Sequence, residues 1–244
     1  MSKLFTGYRK KFFQGAVKKE DLPPSVLKHL SVTEHIRRDV DPREAVYVVF
    51  DTELTGLNPK KDSIVSIGAL KVFGTRIDIG NPYYRVVEPR SLLTKQSVVI
   101  HGITPSEASV CPTIDVLMPE FLDFCGNGIV VGHFVSIDLA FLNKEMTRLF
   151  GLTLQNPSVD TCLLYQWLRK REENICAFHG GIKENVDLMT LAQKYSIPVF
   201  DAHNALNDAF ITAQLLQRLI ANLHSFNINT IEDLLRIGKP RKKE

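Results

Sequence analysis

Val46-Tyr47-Val48-Val49-Phe50-Asp51-Thr52-Glu53-Leu54-Thr55-Gly56 is the stretch on which the fold turns. Its first five residues are apolar and rich in β-branched and aromatic side chains, which reads as a buried β-strand closed by the turn signal Thr55-Gly56. Side chains on a strand alternate between faces, so Asp51 and Glu53 point the same way. Two carboxylates held side by side repel each other unless one is protonated or a cation lies between them. Their oxygen chemistry suits a hard divalent cation such as Mg²⁺ or Mn²⁺.

Strands lie upstream in the sequence and helices downstream. Apolar segments near 45–50, 63–73 and 81–87 are separated by Asn58-Pro59 and Gly80-Asn81-Pro82 and read as consecutive strands. A helix over 113–124 leads to a short buried strand, Ile129-Val130-Val131, which Gly132 ends. Ser136 is the expected N-cap of the next helix, placing Asp138 in a first turn where the helix dipole favours a carboxylate. Further helices are expected over 161–171, 186–196 and 205–222. In the last, Ala205, Ala209, Ala213, Leu216 and Leu219 or Ile220 recur at helical spacing, so Asp208 sits about one turn from the start. His203, five residues earlier, would lie about 140° around a helix from Asp208 and is assigned to the preceding loop. The order implies an α/β fold, a mixed sheet covered by helices.

At 244 residues, with 44% hydrophobic and 23% charged side chains, the chain can bury one full domain. The expected division is a basic, partly helical extension over 1–42, a catalytic domain over 43–224 and a C-terminal segment over 225–244. Residues 1–19 carry six bases and no acid, and the last six residues carry four bases and one acid. With a net charge of +3, the body between them is acidic. Phe5, Tyr8, Phe12 and Ala16 give the extension a helical rhythm, read as docking on the body or contacting nucleic-acid phosphates rather than targeting. Cys111, Cys125, Cys162 and Cys176 show no metal-ligand spacing and are expected to be reduced core thiols of a cytoplasmic protein. No apolar run approaches the roughly 20 residues of a membrane span, so no membrane partner is expected.

The strings VVFDTELTGL at 48–57, VVGHFVSIDLAFL at 130–142 and HNALND at 203–208, with HGIT at 101–104 and VDTCLL at 159–164, carry a resemblance. Together, over about residues 45–222, they resemble the three motifs of the DEDDh 3′→5′ exonucleases, the family of the proofreading epsilon subunit of bacterial DNA polymerase III. The resemblance implies a ribonuclease H-like mixed five-stranded sheet flanked by helices. It also implies that Asp51, Glu53 and Asp208 hold two divalent cations, Mg²⁺ or Mn²⁺, that Asp138 holds one through water, and that His203 is the general base. Gly102 and Ile103 would border the terminal-nucleotide pocket. Leu54, followed by Thr55, stands where the family often has threonine, and Phe134 and Ile137 replace a frequent asparagine and aromatic. An apolar contact of Leu54 with the terminal sugar or base is the expected substitute.

Two divalent ions about 4 Å apart can clamp the attacking and leaving oxygens of an in-line phosphoryl displacement, and an imidazole can take the water's proton near neutral pH. Any one acid, taken alone, reads as a solvated surface group. His101 is read as a loop or packing residue, His133 as structuring the turn after the short strand, and Asp160, Thr161 and Asp187 as caps. The leading expectation is an exonuclease acting on nucleic-acid 3′ ends, DNA ahead of RNA, with a polymerase or clamp subunit as a possible partner. The alternatives are an exoribonuclease or oligoribonucleotide hydrolase, or a non-catalytic polymerase-associated module. The stretch from Asn227 to the C-terminus is read as a docking segment.

Overall fold

The computed structural model describes residues 21–176, 185–199 and 203–240. The helical rhythm expected over residues 5–16 and the last four residues of the basic tail lie outside them. Five strands, β1 (Val46–Leu54), β2 (Ile64–Phe73), β3 (Arg76–Val86), β4 (Ile129–Gly132) and β5 (Ser158–Asp160), form one sheet in the order β3-β2-β1-β4-β5. β1–β2 and β2–β3 are antiparallel, whereas β1–β4 and β4–β5 are parallel. The sheet is therefore mixed, as expected from the sequence.

The helices are α1 (Pro24–His29), α2 (Lys95–His101), α3 (Pro105–Ala108), α4 (Ile114–Cys125), α5 (Ser136–Phe150), α6 (Thr161–Cys176), α7 (Leu188–Lys194), α8 (Ala205–Asn222) and α9 (Ile231–Gly238). Alternation along β1 divides the core. Tyr47 and Val49 join a cluster with Leu164 and Leu168 of α6, Leu191 of α7, Leu215 and Leu216 of α8 and Leu234 of α9. Val48 and Phe50 join a second cluster with Val26 of α1, Phe121 of α4 and Phe141 and Leu142 of α5. Apolar helix faces thus cover both sides of the central strand.

Some expectations need correction. The third strand starts at Arg76 rather than near 81 and runs through Pro82, because β3 is an edge strand on which a missing N–H costs no ladder bond. Ser136 is the first helical residue of α5, not its cap. The turn before it is held instead by Asp160, whose Oδ1 accepts from Phe134 N at 3.2 Å and Cys162 N at 2.9 Å. His101 ends a helix rather than lying in a loop. That helix, α2, begins with the reciprocal cap Thr94/Ser97, and α3 begins with Thr104/Glu107. The proposed docking stretch is largely folded inward, since Ile231, Leu234 and Leu235 of α9 are buried in the first cluster. Cys125 and Cys162 are buried free thiols, but Cys111 is only half-buried, and the side chain of Cys176 lies outside those described. Among the described residues no helix is long and apolar enough to cross a membrane.

Candidate active site

β1 continues past its apolar run through Asp51, Thr52 and Glu53, so the strand itself presents the acids. Asp51 and Glu53 extend the face of Tyr47 and Val49, the side on which α8 packs. Asp51 pairs with Gly68 on β2. A Cβ added at Gly68 would lie 2.2 Å from Leu206 N and 2.3 Å from the Ala205 carbonyl carbon, so only glycine lets the first turn of α8 rest on the sheet there. That docking carries Asp208, in the same first turn, to the two strand acids. One oxygen each from Asp51, Glu53 and Asp208 lies within 4.8 Å of the others.

Asp138 arrives from the other face. It lies in the first turn of α5, which belongs to the second cluster, and its Oδ1 accepts from Thr52 N at 3.1 Å and from the Thr52 hydroxyl. Burial, and then the charges of Asp138, Asp208 and Glu53, hold Asp51 well above the usual carboxylate range. Burial with Asp208 and Asp138 pushes Glu53 up to about 8. Burial also raises Asp138 to about 7, against the lowering effect of its bonds from Thr52. An all-carboxylate set under this burial and mutual repulsion matches a hard divalent cation, which would relieve both.

His203 precedes Asn204, the N-cap of α8, whose Oδ1 accepts from Leu206 N at 3.1 Å and Asn207 N at 3.3 Å. The imidazole is exposed, in the loop position expected, and its backbone is left-handed at φ 68°. A non-glycine residue held there costs roughly 1–3 kcal/mol in general, and such outliers concentrate at functional sites.

Leu54 packs partly against the second cluster. Thr55 is buried, and its hydroxyl accepts from Ser63 N at 3.0 Å and bonds Ser91 Oγ at 2.8 Å, closing the β1–β2 loop. Gly102 ends α2 at φ 74° with open space around its Cα, and Ile103 N donates to His101 Nδ1 at 3.1 Å. His133 bridges the Val186 carbonyl at 2.7 Å and the Thr161 hydroxyl at 2.9 Å, the turn-structuring role expected of it. Asp187 caps α7 through Thr190 N at 2.9 Å. Sequence reading missed Thr52 and Gly68. The glycine inside an otherwise apolar strand was the available signal for a close backbone approach.

A mixed five-stranded sheet flanked by helices, with carboxylates gathered at the end of its central strand, defines the class of fold: ribonuclease H-like. The chain belongs to the exonuclease family of the RNase T type, whose family model matches residues 48–216. The epsilon subunit of DNA polymerase III from Aquifex aeolicus is 29% identical over 197 residues, covering 80% of this chain and 91% of that protein. The PolC-type DNA polymerase III of Clostridium perfringens is 33% identical over 175 residues, 70% of this chain but 11% of its own length. The Thermotoga maritima counterpart is 29% identical over 194 residues, 80% of this chain and 13% of that protein. The chain thus spans only about an eighth of the PolC-type relatives' length. Escherichia coli exonuclease I bound to a dT13 oligonucleotide shares the fold at TM-score 0.63 and 18% identity, over 75% of this chain and 42% of that one. Exonuclease X bound to 5′-overhanging duplex DNA does so at TM-score 0.58 and 24% identity, over 78% and 98%.

Proposed function

We propose that this protein is a metal-dependent 3′→5′ exonuclease that hydrolyses phosphodiester bonds at DNA 3′ ends and releases nucleoside 5′-monophosphates in proofreading, repair or degradation. The observation that carries the reading is the convergence of Asp51, Glu53 and Asp208 within 4.8 Å at the end of the central strand. These three would hold two divalent cations, Mg²⁺ or Mn²⁺, with Asp138 serving them through water. Bound there, the cations supply Lewis acidity and offset charge on the phosphoryl group. His203 accepts the proton of the attacking water. Gly102 and Ile103 border the terminal nucleotide, and Leu54 and Thr55 shape the loop beside it.

DNA is favoured as substrate because the two solved relatives above were captured on DNA and the full-length relative is a DNA polymerase subunit. The same likeness supports a polymerase as partner and the cytoplasm as place of action. The test offers end-labelled single-stranded DNA, mispaired duplex and matched RNA with Mg²⁺ or Mn²⁺. Mononucleotides released from DNA 3′ ends, abolished by chelation and by Asp51→Asn, support the reading. Release from 5′ ends, internal cuts, or RNA as the preferred substrate would overturn it.

A further inference from the structure

β4 runs parallel to β1, with Tyr47 level with Ile129 and Val49 level with Val131. These four residues share the first cluster. Prolonging β4 by one residue brings His133 level with Asp51, about one strand spacing of ~4.8 Å away. Its imidazole stays on that side, bonded to the carbonyl of Val186 at 2.7 Å, and Val186 packs against the same cluster. Phe134 follows His133 and leads into α5, whose first turn carries Asp138. Phe134 therefore stands at the rim of the acid cluster.

Two phenylalanines are exposed among the described residues. Phe73 ends β2 opposite Val46, at the end of β1 away from the acids, and Arg76 lies over its ring at 5.2 Å. Phe134, 40% exposed, meets His133 edge-on, with ring centroids 4.7 Å apart and planes at 68°. His133 is fixed at both ring nitrogens, which gives the phenyl ring a rigid backing. The backbone of Phe134 is fixed as well: its N–H donates to Asp160 Oδ1 at 3.2 Å, and its carbonyl accepts from Ile137 N at 3.0 Å. Its φ is 56°, a left-handed conformation that suits glycine or asparagine and is costly for a bulky side chain. An aromatic ring is thus held toward solvent, on a strained backbone beside the acids, and burial does not account for it.

We propose that Phe134 is a stacking platform for an unpaired nucleobase beside the phosphate at the acid cluster, and so a residue that sets substrate specificity. The inference rests on the proposed action at nucleic-acid 3′ ends. Every base has a π-face, so the contact is indifferent to sequence and takes single strands. A base inside a duplex has both faces covered, and freeing one costs unstacking energy, least at a mismatch. The platform therefore selects single-stranded and mispaired ends over matched duplex.

The test measures binding of a 5′-labelled oligothymidine by fluorescence anisotropy under chelation, and kcat and KM on the same strand with Mn²⁺. Phe134→Leu keeps apolar bulk but offers no flat face. It should weaken binding and raise KM on the order of 10-fold, with kcat and Mn²⁺ affinity near the parent's. Phe134→Trp should restore the parent's affinity. An oligonucleotide whose 3′-terminal residues are abasic should bind the parent and Phe134→Leu alike. Phe134→Asn should be at least as stable as the parent in urea, since asparagine tolerates the left-handed backbone. Equal affinity of parent and Phe134→Leu for the intact strand, the same loss on the abasic strand, or a Phe134→Asn variant less stable than the parent overturns the proposal. If the parent releases nothing from 3′ ends while Phe134→Leu still weakens binding, the proposed function fails and the platform stands as a binding site. A parent that does not bind the intact strand overturns the platform alone.

Discussion

The two faces of β1 carry their acids in different ways. On the α8 face Asp51, Glu53 and Asp208 converge within 4.8 Å, and burial with mutual repulsion drives the first two toward protonation. On the α5 face Asp138 is tied to Thr52 through both the backbone N–H and the hydroxyl. One face therefore gathers three carboxylates, whereas the other holds a single carboxylate on two donors of Thr52 that only partly offset its burial. The difference follows from what each helix meets on arrival: α8 lies on a glycine with no side chain to offer, and α5 delivers its acid to a strand residue bearing two donors.

The largest expected effect breaks the α8 face. Glu53→Gln should lower turnover about 10³-fold or more, the scale of losing cation support at a phosphoryl group, and should remove the thermal stabilisation produced by Mn²⁺. The metal-free parent supplies the sign. Glu53 ionises at about 8 when folded and in the ordinary carboxylate range when unfolded. The unfolded chain thus gives up this proton first, and stability present below about pH 4.5 is lost as pH rises through 8, on the order of 3–5 kcal/mol. Glu53→Gln should flatten that decline in urea titrations across pH. A metal-free parent most stable above pH 8 would falsify the account of this face.

Gly68→Ala comes next. The added methyl meets backbone atoms of Ala205 and Leu206, so α8 must shift. Stability should fall by roughly 1–3 kcal/mol, and activity by about 10²-fold as Asp208 moves off its partners. Chemical denaturation and initial rates on one preparation would measure both, and intact activity would show that α8 does not seat on this glycine. Thr52→Val probes the other face. It deletes the hydroxyl on Asp138 while leaving the backbone bond, so an effect of about 10-fold on rate is expected, with Mn²⁺ affinity near the parent's. Loss of Mn²⁺ binding in a calorimetric titration would erase the distinction between the faces.

The smallest effect on activity belongs to His29, buried on the α5 side, where its Nε2 accepts from Gln155 N at 2.8 Å. Burial lowers it to about 4. The unfolded chain then takes up a proton first as pH falls below about 6.5, and stability is lost progressively down to 4, by about 3 kcal/mol. His29→Gln should leave turnover at neutral pH unchanged and reduce this acid sensitivity. Equal acid lability in the variant would assign the loss to other groups.

The strand carrying Asp51 and Glu53, the loop place of His203 and the helix of Asp208 were legible because a period of two or 3.6 is written in adjacent residues. Asp138 was legible as a first-turn acid, but its approach from the opposite face was not, since that depends on which side of the sheet α5 packs. Gly68 and Thr52 escaped for a related reason. Each matters through a partner distant in sequence, Leu206 for one and Asp138 for the other, and nothing local marks the meeting. Ser136 was misread as a cap because Ser ordinarily plays that part, while here Asp160 holds the preceding turn from the neighbouring strand. The short helices α2 and α3 were written in their capping pairs and passed over because neither carries an apolar period long enough to register.

The docking of α8 on Gly68 also sets when the site can exist. Asp51 and Glu53 emerge early in synthesis, but the third carboxylate and the histidine lie in and just before α8, after every strand of the sheet has been made. A nascent chain that has completed the sheet still lacks Asp208, one of the three acids proposed to hold the cations, and a truncation before it leaves Asp51 and Glu53 facing each other with no third oxygen. Closure of α8 onto the sheet, a contact between segments distant in sequence, would therefore also complete the proposed site, so incomplete copies should be inert toward nucleic acid.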